Sequence, residues 1–153
     1  MDITEAAAEA GVTECSGGIL EVDTEALRTV LKPRLGGDSL LVGHLAPYVM
    51  DGSLVGRIII LRRSPYSLAR IYDERGYNEE KSRENLGSEI LGTIAHDAFI
   101  LGGAKAIQID TTDRTIEETV GRARDIAEGR GRSDEVDWLS IVRDKGDLGR
   151  FFP

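Results

Sequence analysis

The residues of this chain best suited to chemistry are arginines, placed where a ligand could meet them. Ile58, Ile59, Ile60 and Leu61 form an unbroken apolar run, followed at once by Arg62 and Arg63. A run of that length is too short for a membrane span and reads as a strand buried on both faces. Arg75 lies in an Arg-Gly-Tyr turn one helix later, and Lys81 and Arg83 sit early in the next helix. Singly, each has a plain reading. Arg62 could form a surface ion pair with Asp73, Glu74 or another acid, Arg75 could be an exposed turn residue, and Arg83 could face the same side as Lys81 or the opposite one. Together they put a cation at a strand end, another in a hinge, and a basic start on the following helix. Ligands of open α/β sheets bind beyond the C-terminal ends of the strands, and clustered arginines match phosphate oxygens. The pattern suits a lid that closes over a polyphosphate and neutralises charge on the transferring oxygens.

His44 is the second candidate. It follows Gly43 and the apolar run Leu40-Leu41-Val42. A histidine near a core is commonly a structural one. At the end of a parallel strand it could instead orient a water or a phosphate oxygen, which makes it the catalytic candidate. Cys15 is the only cysteine, so it forms no internal disulfide, and it has no partner for a ligand or nucleophile role. No HxxH, CxxC or paired-carboxylate spacing occurs, so no metal site built by the protein itself is expected.

The elements that must position these residues alternate between strands and helices. Residues 2 to 10 read as a helix with Asp2 as cap, Glu5 as the reciprocal acid and Gly11 as the stop. Residues 12 to 22, with Gly17 and Gly18, read as a loop leading into an extended piece. Asp23 or Thr24 caps a helix with Leu27, Val30 and Leu31 on one face, and Pro33 ends or kinks it. Leu40 to Val42 reads as a short buried strand. The strand 58–61 leads through the cap Ser64 and Pro65 into a helix over 65–74. A long helix from about 79 to 101 aligns Leu86, Ile90, Ile94, Ala98 and Leu101 on one stripe. Ala106 to Ile109 is the next strand. Thr115 and Glu118 make a capping box for a helix with Val120, Ala123 and Ala127 inward. The tail from 130 to 153 carries Trp138 and closes on Phe151-Phe152-Pro153. It could dock on its own domain or bind a partner. The alternation gives an α/β chain with a parallel sheet.

The chain has 153 residues, 41% hydrophobic and 30% charged, with a net charge of −8. That size fits a single domain. The acidic balance argues against direct nucleic-acid binding and is compatible with a basic protein partner. No apolar run is long enough to span a membrane. The acidic, alanine-rich start resembles neither a signal nor a transit peptide, and with one cysteine a reducing cytoplasm suits the chain.

The run LRRSPYSLARIYDERGYNEEKSRENLGSEILGTI resembles the archaeal adenylate kinase-like proteins and their eukaryotic relative, adenylate kinase isoenzyme six. The resemblance continues through Val22-Asp23 to Leu27, Gly43-His44, Ile109-Asp110-Thr111-Thr112 and the tail VDWL…GDLGRFFP. It implies a parallel-sheet P-loop NMP-kinase-like fold, with ATP and AMP or a related nucleoside monophosphate as substrates and magnesium bound through the nucleotide. It also implies ATP hydrolysis, and a role in maturation of the small ribosomal subunit through a basic ribosomal protein. On this resemblance Arg75 is the lid arginine that contacts ATP, with Arg62 and Arg83 in support. The lid runs from about 74 to 84, the monophosphate-binding segment from about 2 to 21, and Gly43-His44 match the end of a Walker-B-like element.

Three departures accompany the resemblance. Residues 1–153 contain no G-x-x-x-x-G-K-[ST] loop, whose amides and lysine hold phosphates and whose hydroxyl holds magnesium. The family's first strand, P-loop and first helix are thus missing, and the expectation is a natural start upstream rather than a degenerate relative. Val42 stands where relatives carry an acid, and Pro33 falls in a helix that relatives continue. Little or no turnover is therefore expected of the chain as written. The alternative is a non-catalytic relative that acts as a protein-binding ribosome maturation factor.

Overall fold

The computed structural model describes residues 1–16 and 19–152, and of residues 14–16 and 19–20 the backbone only. The expected loop at Gly17-Gly18 and the side chain of Cys15 therefore lie outside the described residues. The chain divides into two compact units, Met1–Leu54 and Val55–Pro153.

The first unit packs two helices against a hairpin and a short third helix. Helix α1 (Ile3–Glu9) is capped by the Asp2 carboxylate, which accepts from the Thr4 and Glu5 amides at 2.8 and 3.2 Å. It stops at Gly11, φ 67°. Strands β1 (Thr13–Ser16) and β2 (Ile19–Val22) pair antiparallel, with Thr13 opposite Val22, so the expected loop-then-strand is a hairpin. Asp23 caps α2 (Thr24–Leu31), and Pro33 lies in the 3-10 turn that ends it. With α3 (Ala46–Val49), these elements bury Ile3, Ala6, Ala7, Leu27, Leu31 and Val49.

The expected buried strand at 40–42 is not observed. Val42 makes a single parallel bridge to Asp2, and Leu40 and Val42 are 71% and 50% exposed. An apolar run becomes a buried strand only between neighbours, and among the described residues the bridge to Asp2 is its one pairing. Gly43 lies beside this bridge at φ 142°, where a Cβ would overlap Ile3 Cγ2 and lie 3.2 Å from Ile3 Cβ.

The second unit holds β3 (Ile58–Arg62) parallel to β4 (Ala106–Asp110), in register from Ile58↔Ala106 to Arg62↔Asp110. Around them run α4 (Pro65–Glu74), α5 (Glu79–Leu91), α6 (Thr93–Gly102), α7 (Ile116–Ala127), α8 (Trp138–Asp144) and α9 (Leu148–Phe151). Ile58 and Ile60 pack with Ala95, Ala98 and Ala106. The opposite side of β3 is open, with Leu61 59% exposed, so β3 is not buried on both faces. The outer edge of β4, by contrast, is closed. Asp134 N–H donates to the Gln108 carbonyl, Ser133 Oγ accepts from Gln108 N–H, and the Asp134 carboxylate accepts from Asp110 N–H.

The expected long helix is two helices. Gly92 adopts φ 65°, a left-handed conformation that ends α5. The stripe divides accordingly. Leu86 and Ile90 pack on Trp138, Val142 and Phe151, while Ala98 packs on the strands. The tail thus docks on its own unit, and Tyr66 meets Phe151 edge-to-face at 5.4 Å. The capping box at Thr115 and Glu118 is present. Its helix turns Ile126 inward, with Ala123 half-buried, while Val120 and Ala127 are exposed.

Two predictions follow from the backbone. Gly43→Ala destabilises the first unit by roughly 2–4 kcal/mol, from positive-φ strain plus overlap with Ile3. Gly37→Ala, in open space, stays within about 0.5 kcal/mol. Urea unfolding followed by circular dichroism compares the two. The second concerns Asp134. Burial raises its pKa, but the Asp110 amide, Arg114 and Arg122 outweigh burial and hold it below the ordinary 3.8. A depressed carboxylate contributes stability above its unfolded pKa, and loses it as pH falls through the lower folded value. The second unit therefore weakens as pH drops below 3.8, and Asp134→Asn flattens that part of the stability–pH curve.

Candidate functional site

Arg62 ends β3 and points into the protein. It is 5% exposed, and the protein itself occupies each guanidinium nitrogen. Nε donates to Glu89 Oε1 at 2.8 Å, Nη1 to Gln108 Oε1 at 2.6 Å, and Nη2 to the Glu89 carbonyl at 2.7 Å. The plain sequence reading, a surface ion pair, is met only in part: the acid is Glu89, distant in sequence and on α5, and the pair is buried rather than at the surface. Gly92 lets the guanidinium approach, since a Cβ there would lie 3.3 Å from Arg62 Nη1. Arg63 donates from its amide to Glu89 Oε1 and from Nε to Ser67 Oγ. Trp138 Nε1 donates to the same Glu89 oxygen at 2.9 Å.

Above this root stands a helix–turn–helix arm. Helix α4 starts with Pro65 in its first turn and runs to Glu74. Arg75 caps it, and Gly76 turns the chain at φ 64°. Tyr77 stacks on Tyr72 at 5.1 Å with rings 8° apart, and desolvation raises the Tyr72 hydroxyl pKa. Asn78 caps α5 by accepting from the Glu80 and Lys81 amides. Residues 73–81 are all exposed. Arg75 presents its side chain to solvent. Arg83 pairs with Glu79 one turn back at 2.9 Å, partly exposed. Exposed ion pairs of this kind exchange partners at little cost, so Arg83 remains available to an anion. Arg75 and Arg83 thus share one arm, and Arg62 anchors its base.

Beside Arg62, at the end of β4, the Asp110-Thr111-Thr112 turn closes on itself. Thr112 donates from its amide and its hydroxyl to the Asp110 carboxylate at 2.9 and 2.5 Å, and accepts from Ser64 N–H at 2.8 Å. Thr111 donates to the Arg62 carbonyl. Arg114 and Arg122 pair with Asp134 at 2.7 and 2.9 Å. Asp110, Asp113, Arg114, Asp134 and Glu135 line an open groove there. Hydrogen bonds thus tie the two strand ends together through main chain and short side chains.

His44 and Gly43 belong to the first unit, and the arginines to the second. His44 is exposed in the turn after the Val42 bridge. Among the described residues, no three or more His, Cys, Asp or Glu side chains are grouped to hold a metal ion. The sequence reading missed Glu89 and Gln108 as partners of Arg62. The only available signal was an acid beside Leu86 and Ile90 on the apolar stripe, and stripe patterns do not tell a buried acid from a flanking one.

No protein-family model matches the chain. Three archaeal proteins, each named "Putative adenylate kinase", match most of it. The one from Methanothermobacter thermautotrophicus is 36% identical over 127 residues, covering 80% of this chain and 72% of that protein. The one from Thermococcus gammatolerans is 30% identical over 144 residues, covering 92% and 78%. The one from Methanosarcina barkeri is 34% identical over 134 residues, covering 78% and 70%. With its parallel strands, its helical arm and this level of identity, the chain belongs to the archaeal adenylate kinase-like family and has an α/β fold of the P-loop nucleoside-monophosphate-kinase type.

Proposed function

We propose that the protein is a nucleoside monophosphate kinase of the adenylate kinase type. It transfers the γ-phosphoryl of ATP to AMP or a related monophosphate, with magnesium carried by the nucleotide and ATP hydrolysis as a side reaction. The observation that supports this most is the arm from Pro65 to Leu91. Its exposed turn carries Arg75, and its base is fixed on a strand end by Arg62.

Each residue then has a role. Arg75 clamps the phosphates when the arm closes, and places positive charge where it develops on the transferring oxygens. Arg83 leaves Glu79 and adds to that charge. Arg62 supports from within, holding α5 rather than touching nucleotide. His44 orients a water or phosphate oxygen. Val42 brings no carboxylate to hydrated magnesium. Residues 1–153 contain no G-x-x-x-x-G-K-[ST] loop, so by themselves they lack the amide cradle and lysine that hold the β- and γ-phosphates.

A second reading rests on Val42, which brings no carboxylate to the site, and on the net charge of −8. In it the chain is a non-catalytic relative that binds a basic small-subunit ribosomal protein. Retention of such a protein in a pull-down at physiological salt supports this reading, and no retention removes it.

For the kinase reading, residues 1–153 alone form no ADP from ATP and AMP above background. Clear magnesium-dependent ADP formation contradicts the stated need for the phosphate loop. In equilibrium titration with MgATP, Arg75→Ala weakens binding by about tenfold to a hundredfold, the size of a charge-assisted contact. Unchanged affinity would remove Arg75 from the site.

A further inference from the structure

Helix α5 changes character along its length. Residues 79–85 are exposed apart from half-buried Ser82, whereas 86–90 are all buried or half-buried. Glu89 sits in the second part, its side chain 19% exposed. One of its oxygens, Oε1, accepts from Arg62 Nε at 2.8 Å, Arg63 N–H at 3.1 Å and Trp138 Nε1 at 2.9 Å. Those donors come from β3, the residue just after it, and α8. Through Arg62 Nη1 and Gln108 the same node reaches β4.

Apolar packing alone would seat this half of α5, since Leu86 and Ile90 already pack on Trp138, Val142 and Phe151. Such packing resists separation but constrains rotation and sliding weakly. Donors converging on one oxygen fix the helix in angle and register. Taking the charge away leaves Arg62 as a buried cation without its counter-ion, a costly state.

We propose that Glu89 is a positioning residue for the lid. It locks the root of α5, so that closure bends the arm only N-terminal to Leu86, and the Trp138 indole reports the state of the lock. This rests on the lid reading given under Proposed function.

The experiment uses the whole 153-residue chain, free of ligand, as wild type, Glu89→Gln, Glu89→Asp and Trp138→Phe. Backbone amide exchange is compared over 80–84, 87–91 and, as a control outside the node, 121–126 in α7. In the wild type, 87–91 exchanges at least about tenfold more slowly than 80–84, as expected where a charged hydrogen-bond node is added to a helix. Glu89→Gln erases that step and shifts Trp138 emission, with 121–126 unchanged, and Glu89→Asp restores part of both. A step that survives Glu89→Gln overturns the proposal. So does equal loss of protection over 121–126, which marks a merely structural role. If Glu89→Gln does not fold, Trp138→Phe decides. It keeps a ring in place and loses one donor, so the step shrinks by about threefold, and an unchanged step overturns the proposal. MgATP added to the wild type separates the two claims. If it binds, shown by saturating protection elsewhere, and slows exchange nowhere in 80–84, the lid reading fails, and the Glu89-dependent step without ligand still supports the lock.

Discussion

The pairing of Arg62 with Glu89 is the interaction on which the second unit depends. A guanidinium 5% exposed is tolerable only when its donors are satisfied, because desolvating a charge costs several kcal/mol. Glu89 and Gln108 satisfy it from α5 and β4. Two strands and a helix are thereby held at one point, and Trp138 brings the tail to the same oxygen. The apolar seat around Leu86, Ile90, Val142 and Phe151 supplies the attraction. The ion pair supplies the orientation.

That division of labour suits the closure proposed for the arm, an exposed turn on a fixed base. From Glu74 to Lys81 the arm is exposed and carries its cations at the surface. Below Leu86 it is buried and bonded. Motion belongs to regions with few buried apolar contacts, which here means the turn and the first part of α5. The chemistry proposed for Arg75 needs such motion, because a clamp must open to admit nucleotide.

Much of this was legible in the sequence because it is written locally. Asp2, Asp23 and Thr115 cap helices as their types and spacing indicate, whereas Ser64, read as a cap before Pro65, makes no side-chain cap bond, and Gly76 turns the arm where Arg-Gly-Tyr places it. The tail docks as its aromatics suggest. The features that escaped depend on distant partners. The run 40–42 has the composition of a buried strand but, among the described residues, only one bridge, since composition cannot supply a neighbour. Leu61 is exposed for the same reason. Gly92 sits within a periodic stripe, where glycine is tolerated in a helix as readily as it ends one. Its left-handed turn, and the room it gives Arg62, become visible only once the guanidinium is placed. Arg62 itself had the right neighbourhood at a strand end but the opposite direction, inward to Glu89 rather than outward to a ligand.

Family membership motivates the proposed lid, and the arm's geometry makes it testable apart from catalysis. The most direct measurement is a titration of the isotope-labelled chain with MgATP, followed by amide chemical shifts residue by residue. The account predicts shifts concentrated on residues 75–84, with Arg75 among the largest and the Glu89 node nearly still. Saturating shifts confined to other residues, with 75–84 unmoved, would contradict it.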